Sequence, residues 1–386
     1  MTTDDPIYLD FNATTPIDPQ VVEAMLPYLR THFGNPSSGH VYGHRAREAV
    51  ERARAQVAAL VGAVPEEIVF TGSGTEANNM ALRGAACAHD RPGRMACSAI
   101  EHPAVEKPCR FLGLRGWAIA PIPVDETGVI DMHAADAAIP RGTVMVSVMH
   151  SNNEVGTIQP IRELADLAHS RGALMHTDAA QSVGKVAIDV NDLGVDVLTI
   201  VGHKFYAPKG VGALYIRKGA AIAPTSFGGG QEGGMRPGTE NVALIVALGA
   251  ACEIAGRRLA EDEPRLRTMR DRLWSQLQED ISGILLNGHP ERRLPNTLNV
   301  SFPGVRGSAV LTATPSIAAS TGSACHEGEE AASSVLVAMG YDRNRALGAV
   351  RLSVGRTTTA EEVDSAAIDL VKAWQHARAR TANGGN

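Results

Sequence analysis

The turn after an apolar run at residues 67–70 has the glycine spacing of a phosphate-binding site. Gly72 and Gly74 lie between this predicted strand and a stretch with helical periodicity. Glycines let the backbone approach an anion closely, and the free amides of a helix N-terminus attract its charge. The spacing Gly72-x-Gly74-x-x-Ala77 also fits the alanine variant of the dinucleotide fingerprint, with Glu101 as the ribose acid. Three readings stay open here: a phosphorylated cofactor, a nicotinamide, or a tight turn without ligand.

A carboxylate and a lysine after two later strands favour one of these cofactors. Asp178 follows the predicted strand 173–176, and Lys204 follows the next strand, 197–200. Open α/β sheets bind ligands at the carboxyl ends of their strands. A phosphate anchor, a carboxylate for a pyridinium nitrogen and an amine for a Schiff base are the groups that pyridoxal phosphate requires, whereas a nicotinamide has no use for the lysine. His102, just past another strand end, is placed to stack on a flat ring.

One of the five cysteines differs from the others in its surroundings. Cys325 lies in a segment of small residues, 320–328, which is typical of an exposed loop in which a thiol can ionise and react. The remaining four lie in apolar helix or strand contexts, where a thiol acts as a small hydrophobic group: Cys87, Cys97, Cys109 and Cys252. No C-x-x-C pair is present, so neither a disulfide framework nor a thiolate zinc site is predicted.

The elements that must position these residues follow an alternating pattern. Predicted strands at 67–70, 95–98, 144–147, 173–176 and 197–200 alternate with predicted helices at 75–88, 103–115 and 161–171. Such βαβ units predict an α/β fold with a mostly parallel sheet covered by helices on both faces. Two further helices are predicted before the sheet, the second at 41–61.

The pattern changes after three consecutive glycines at residues 228–230. A long helical region, about 241–281, leads into a strand at 297–302, the loop around Cys325 and a final helix from near residue 359. We therefore expect a large cofactor-binding domain at 16–259. A smaller α+β domain is expected from residues 1–15 and 260–386, with the cysteine loop at about 320–333.

Composition and charge exclude several classes of partner. The 386 residues are 44% hydrophobic, which is enough to bury a sizeable core. A net charge of -6 gives no general attraction to nucleic acid or anionic lipid. Because no leader pattern and no apolar run of roughly 20 residues is visible, we expect a cytoplasmic protein without a membrane span. His40 and His44 are four residues apart without a third ligand, so no metal site is predicted.

A series of short motifs, in order along nearly the whole chain, resembles one known family. The motifs are YLDFNATTP (8–16), GNPSS (34–38), GTE (74–76), EH (101–102), NNEVG (152–156), DAAQ (178–181), HK (203–204), RPGT (236–239), GSAC (322–325) and RLS (351–353). Together they resemble the cysteine desulfurases of the NifS/IscS type, which are class-V aminotransferase-like pyridoxal-phosphate enzymes of fold type I. The resemblance implies a seven-stranded type of sheet in the large domain and a homodimer.

The resemblance also implies roles for residues around the cofactor ring and its phosphate. Lys204 would bond covalently to the cofactor, Asp178 would pair with the ring nitrogen, Gln181 would contact the ring hydroxyl and His102 would stack on the ring. The implied phosphate ligands are Gly74, Thr75 and His203, together with Thr239 from the neighbouring subunit. Val201 stands where many relatives have a serine near the phosphate.

The implied reaction removes sulfur from L-cysteine and leaves L-alanine. Asn153 and Arg351 would hold the substrate carboxylate, and the thiolate of Cys325 would take the sulfur as a persulfide. An acceptor protein for iron–sulfur cluster assembly or thiolation would receive it. Two alternatives are a selenocysteine lyase, within the same cofactor class, and a nicotinamide-dependent oxidoreductase, from a different class.

Overall fold

The computed structural model describes residues 5–321 and 331–383. In these ranges the strands are β1 (Ile7–Tyr8), β2 (Ile68–Thr71), β3 (Arg94–Ser98), β4 (Ala118–Ile122), β5 (Thr143–Ser147), β6 (Leu174–Asp178), β7 (Val197–Val201), β8 (Gly212–Ile216), β9 (Leu285–Leu286), β10 (Thr297–Ser301), β11 (Ile317–Ala318) and β12 (Ala349–Ser353). The helices are α1 (Pro19–Arg30), α2 (Val41–Val61), α3 (Gly74–Cys87), α4 (Pro103–Gly113), α5 (Met132–Ala138), α6 (Ile161–Ser170), α7 (Val190–Leu193), α8 (Val242–Asp280), α9 (Gly307–Thr312), α10 (Ser334–Ala338), α11 (Arg343–Leu347) and α12 (Ala360–Asn383).

The main sheet of the described chain has seven strands in the order β2-β8-β7-β6-β5-β3-β4. All neighbouring strands are parallel except that β8 runs antiparallel to both β7 and β2. The carboxyl ends of β2, β6 and β7 therefore meet at one edge of the sheet. This arrangement confirms the predicted α/β fold with a mostly parallel sheet, and each of the five predicted strands coincides with an observed one.

Apolar side chains cover both faces of this sheet, and a separate cluster lies beyond it. The N-terminal part of α8 packs with α2 and the strands, through residues such as Leu248 and Ile254. Farther along the same helix, Leu273 and Leu277 pack with β10, β12 and α12 instead. The helix α8 therefore contributes to both clusters and connects them. The division into domains at 16–259 and at 1–15 with 260–386 stays a prediction.

The N-terminal ends of three helices are capped by side chains that accept hydrogen bonds from free backbone amides. Ser73 caps α3, and His102 caps α4 immediately before the proline that starts it. His40 accepts a bond from the amide of Gly43 at the start of α2. Such caps satisfy amides that have no partner within the helix. None of the helices in the described ranges combines the length and apolar character needed to cross a membrane.

Candidate active site

A cavity of about 400 Å³ opens at the carboxyl edge of the main sheet. It brings together nine of the eleven site residues predicted from the sequence, namely Gly74, Thr75, His102, Asn153, Asp178, Gln181, His203, Lys204 and Arg351. The position agrees with the rule that open α/β sheets bind ligands beyond the ends of their parallel strands.

The N-terminus of α3 forms one end of this cavity. Gly74 is the first residue of the helix, and the Ser73 side chain accepts a hydrogen bond from the amide of Glu76 at 3.1 Å. A Cβ atom on Gly74 would collide with Cγ2 of Val201, so only glycine fits without a shift of its neighbours. Val201 packs against the helix here and supplies no hydroxyl group. Free amides and a close backbone make this end suitable for a phosphate.

The strand that leads into α3 argues against the nicotinamide alternative. β2 lies at the edge of the main sheet and pairs only with the antiparallel β8 in the described chain. The dinucleotide fingerprint belongs instead to the first strand of a parallel βαβ unit inside the sheet. The glycine spacing at Gly72 and Gly74 is therefore better explained by a phosphate site of another kind.

Lys204 lies in the short turn after β7 and directs its amine into the cavity. Its Nζ donates hydrogen bonds to the backbone oxygens of Asn12 and Ala13, both at 2.8 Å. Burial and, to a smaller extent, the charge of Arg351 together lower the pKa of Lys204 to about 8, against the opposing effect of Asp178. A larger fraction of this amine is therefore neutral, and nucleophilic, near neutral pH than for an exposed lysine.

Asp178 ends β6 and is held by groups from two other elements. Its Oδ2 accepts a hydrogen bond from Asn78 Nδ2 at 2.7 Å, and its Oδ1 accepts one from the amide of Ala180 at 2.9 Å. Thr199 on β7 donates to Asn78 Oδ1 at 2.7 Å, which fixes the orientation of that amide. The buried carboxylate thus has a defined direction, as required of a partner for a ring nitrogen.

His102 and His203 line the cavity as neutral rings. Nδ1 of His102 accepts a hydrogen bond from the amide of Ala104 at 3.0 Å, and burial lowers the pKa of this histidine. Nδ1 of His203 lies 3.1 Å from the Thr14 hydroxyl, and burial with neighbouring lysines lowers its pKa to about 4. Neutral imidazoles can stack on a ring or donate one hydrogen bond to an anion.

Arg351 extends its guanidinium into the cavity from β12, a strand outside the main sheet. Its Nη2 contacts Asp10 Oδ1 at 2.7 Å, and its Nη1 donates to the backbone oxygen of Asn153 at 3.0 Å. The Nε atom is buried without a partner in the described chain. A buried N–H group of this kind is free to bind a carboxylate, for which the guanidinium geometry is well suited.

The two remaining predicted site residues are Thr239, which the structure describes, and Cys325, which it does not. Thr239 is exposed on the loop before α8 and lies outside the cavity lining. Arg236 of the same loop is held by Glu76 Oε1 at 2.8 Å. Cys325 falls outside the described residues, so its position is not part of this geometry.

Three polar residues near the cavity were missed by the sequence reasoning. Asn78 holds Asp178, Asn12 bonds to several groups around Lys204, and Lys185 lies buried behind Gln181. Asn78 follows Gly74 by four residues in a helix, and this spacing places both on one face. Asn12 belongs to the first of the recognised motifs. Lys185 has no comparable local signal, because its burial depends on Asn12, 173 positions away, as well as on the nearby Gln181.

The donor set fits pyridoxal phosphate. The helix N-terminus at Gly74 matches the phosphate, the carboxylate of Asp178 matches the pyridinium nitrogen, and the amine of Lys204 matches the aldehyde. His102 adds a flat ring at the cavity wall. A nicotinamide would leave the amine and the carboxylate without a function.

Comparisons with known proteins agree with this chemistry. The family model described as Aminotransferase class-V matches residues 7–365. "Cysteine desulfurase IscS 1" of Archaeoglobus fulgidus is 45% identical over 360 residues, which cover 92% of this chain and 94% of that protein. "Cysteine desulfurase" of Pongo abelii is 45% identical over 377 residues, covering 97% and 82% respectively. The solved structure of a "NIFS-LIKE PROTEIN" has a TM-score of 0.90 at 38% identity and covers 96% of this chain and 100% of that one. The chain therefore belongs to the class-V aminotransferase family and, within it, to the cysteine desulfurases of the NifS/IscS type.

Proposed function

We propose that this chain uses pyridoxal phosphate in the described cavity to remove sulfur from L-cysteine, with Cys325 as the sulfur acceptor. The observation that carries the proposal is the meeting of the Lys204 amine, the Asp178 carboxylate and the N-terminus of α3 around one cavity. Enzymes of this family use pyridoxal phosphate, and the relatives named above are cysteine desulfurases.

Different residues of the cavity would hold different parts of the cofactor. The amides at Gly74 and Thr75, with His203, would hold the phosphate, while Asp178 and Gln181 would hold polar atoms of the ring. His102 would pack against the ring face, and the amine of Lys204 would hold the aldehyde end. When bound, pyridoxal phosphate supplies an electron sink for the substrate α-carbon.

Arg351 and Asn153 orient the substrate by its carboxylate. The guanidinium is already fixed by Asp10 and by the backbone of Asn153, so little side-chain entropy is lost when L-cysteine binds. With its pKa lowered to about 8 by burial, the Lys204 amine accepts the α-proton at Nζ.

The sulfur transfer involves Cys325 and balances without an added oxidant. The Cys325 thiolate attacks the substrate sulfur, a new S–S bond forms and the bond between sulfur and the β-carbon breaks. The electron pair of that bond stays with the substrate carbon, which takes up a proton. L-cysteine and the Cys325 thiol thus become L-alanine and a persulfide on Cys325. A thiolate is required for the attack.

A second subunit and an acceptor protein complete the proposed function. Thr239 is exposed, and Phe227, which precedes it in the same loop region, is 90% exposed. This supports a homodimer in which Thr239 serves the phosphate site of the neighbouring subunit. Light scattering on the purified protein, which measures the molar mass in solution, tests the dimer. Transfer of labelled sulfur from L-cysteine to a second protein tests the acceptor. The acceptor class is a protein of iron–sulfur cluster assembly or of thiolation.

The proposal is tested by spectroscopy and product analysis on the purified protein. Loaded with pyridoxal phosphate, the protein should show a visible absorbance band and should release sulfide and L-alanine in equal amounts from L-cysteine and a thiol reductant. The Lys204→Ala variant should lose the band and the turnover. A matched control, Lys218→Met at an exposed lysine, should keep both. A colourless wild-type protein that binds a nicotinamide dinucleotide would refute the proposal.

A further inference from the structure

Lys185 is a buried lysine that lies next to the cavity without lining it. The residue is 6% exposed and follows Gln181 by four residues in the turn after β6. Its Nζ donates to Gln181 Oε1 at 2.8 Å and to Asn12 Oδ1 at 3.1 Å. Neither partner is a carboxylate, and no ion pair of Lys185 is present among the described residues. A buried cation without an opposite charge would be costly.

The surroundings favour the neutral amine. A neutral amine has two N–H donors, and Lys185 has two acceptors, Gln181 Oε1 and Asn12 Oδ1. A third hydrogen would be left without a partner in a buried position. Burial lowers the pKa of Lys185 well below its ordinary value, and the positive charges of Lys204 and Arg351 lower it further. Hydrogen bonding and charge therefore agree on the protonation state.

The bond from Lys185 to Gln181, together with the bond from Gln181 to the Asn12 backbone, determines which way the Gln181 amide faces. Oε1 points to Lys185, and Nε2 donates to the backbone oxygen of Asn12 at 2.9 Å. The reversed amide would place Oε1 against that carbonyl oxygen, which has no hydrogen to donate. Since an amide nitrogen carries two hydrogens, one hydrogen of Nε2 remains for a ligand in the cavity.

Asn12 connects this network to the catalytic lysine. Its backbone oxygen accepts from both Gln181 Nε2 and Lys204 Nζ, the latter at 2.8 Å. Its side-chain oxygen accepts from Lys185 and also from Asn296 Nδ2 at 3.0 Å. Asn296 lies immediately before β10. Because it bonds to the same oxygen as Lys185 does, Asn12 stays oriented when the lysine donor is removed.

We propose that Lys185 is a positioning residue that fixes the Gln181 amide. One Nε2 hydrogen of Gln181 is then left to bind the oxygen of the hydroxyl group on the cofactor ring. This inference rests on the proposed function, because it assigns a partner to the cofactor ring. A hydrogen bond to that oxygen stabilises its ionised form and so lowers the pH at which the bound cofactor changes colour. Lys185 acts on this property through Gln181 and without touching the cofactor.

The test is a pH titration of the visible absorbance band of the cofactor-loaded protein. Lys185→Met removes both donor hydrogens at nearly unchanged volume, and the titration midpoint should move upward by about one pH unit. The exposed control Lys218→Met should leave the midpoint unchanged. In a Gln181→Leu background the Lys185→Met change should add no further shift, because its partner is already gone.

The outcomes separate this inference from the proposed function and from a merely structural role. A wild-type protein without a visible band refutes the proposed function. A band whose midpoint is the same in Lys185→Met as in wild type overturns the role of Lys185, even if the melting temperature falls. If Lys185→Met does not fold, Lys185→Gln retains an NH2 donor group at shorter reach and should give a smaller upward shift. An unchanged midpoint in that variant overturns the inference equally.

Discussion

Asn78 Nδ2 lies 2.7 Å from Asp178 Oδ2, which joins the helix of the phosphate site to the strand that carries the carboxylate. The two residues are 100 positions apart in the chain. Thr199 holds the other end of the Asn78 amide. One side chain therefore links two walls of the cavity and sets the direction of the carboxylate.

Replacement of Asn78 by leucine should reduce turnover and spare the fold. Leucine has a similar volume but removes the hydrogen bond to Asp178 Oδ2 and the acceptor of the Thr199 hydroxyl, which keeps its contact with His176 Nε2. Loss of one hydrogen bond to a charged group should lower kcat about 10- to 100-fold. Steady-state kinetics at saturating pyridoxal phosphate check this. Asn79→Ala, one residue on in the same helix, is the control and should be nearly neutral, since Asn79 bonds only to the backbone oxygen of Thr75.

The reaction of apoprotein with pyridoxal phosphate should depend on pH through Lys204. Only the neutral amine attacks the aldehyde, and the pKa of Lys204 is lowered to about 8 by burial and by Arg351. The rate of cofactor incorporation should therefore rise with pH up to about 8 and level off above it. Stopped-flow absorbance measures the profile. In Arg351→Gln the midpoint should move upward, and a rate that still climbs at pH 10 in wild type would contradict the assignment.

Replacement of Arg351 by lysine should weaken substrate binding more than it slows the chemistry. Lysine cannot reproduce the bonds to Asp10 and Asn153 together with a two-point contact to a carboxylate. The KM for L-cysteine should rise about 10- to 100-fold, with a smaller change in kcat. Arg345→Lys is the matched control, because Arg345 bonds to Asn287 outside the cavity. An unchanged KM in Arg351→Lys would remove this residue from the substrate site.

Replacement of Gly74 by alanine should destabilise the protein although alanine favours helices. The added Cβ would collide with Cγ2 of Val201, and overpacking of this kind costs about 1–3 kcal/mol. Urea unfolding of the apoprotein measures the change. The double variant with Val201→Ala should recover most of the loss. Gly39→Ala, where a Cβ would meet no neighbour, is the control. Equal stability of the single and double variants would refute the steric explanation.

Replacement of Cys325 by serine should separate cofactor chemistry from sulfur transfer. The variant should retain the absorbance band and bind L-cysteine, because the cavity residues are unchanged. Sulfide release should fall at least about 100-fold, since a hydroxyl is a poor nucleophile toward sulfur. Cys87→Ser is the control, because that thiol is exposed and lies at the far end of α3 from the cavity. Full turnover by Cys325→Ser would exclude this cysteine from the mechanism.

Local patterns in the sequence were sufficient for the α/β fold and for Gly74, His102, Asp178 and Lys204 in the cavity, whereas the other predicted cavity residues came from the family resemblance. Strand and helix periods depend on neighbours within a few residues, so β6 and β7 were predicted near their observed bounds. Asp178 and Lys204 follow these strands directly. Their meeting at one sheet edge then follows from the parallel direction of the strands.

Contacts between distant segments were decided by the tertiary structure alone. The antiparallel direction of β8, the packing of Val201 on Gly74 and the network of Asn12 with Lys185 have no signature in local periodicity. Buried polar groups must find partners wherever the fold provides them, and Asn12 and Lys185 are 173 positions apart. The residue types with reactive groups are therefore visible in the sequence, whereas their orientation and protonation depend on neighbours that only the folded chain supplies.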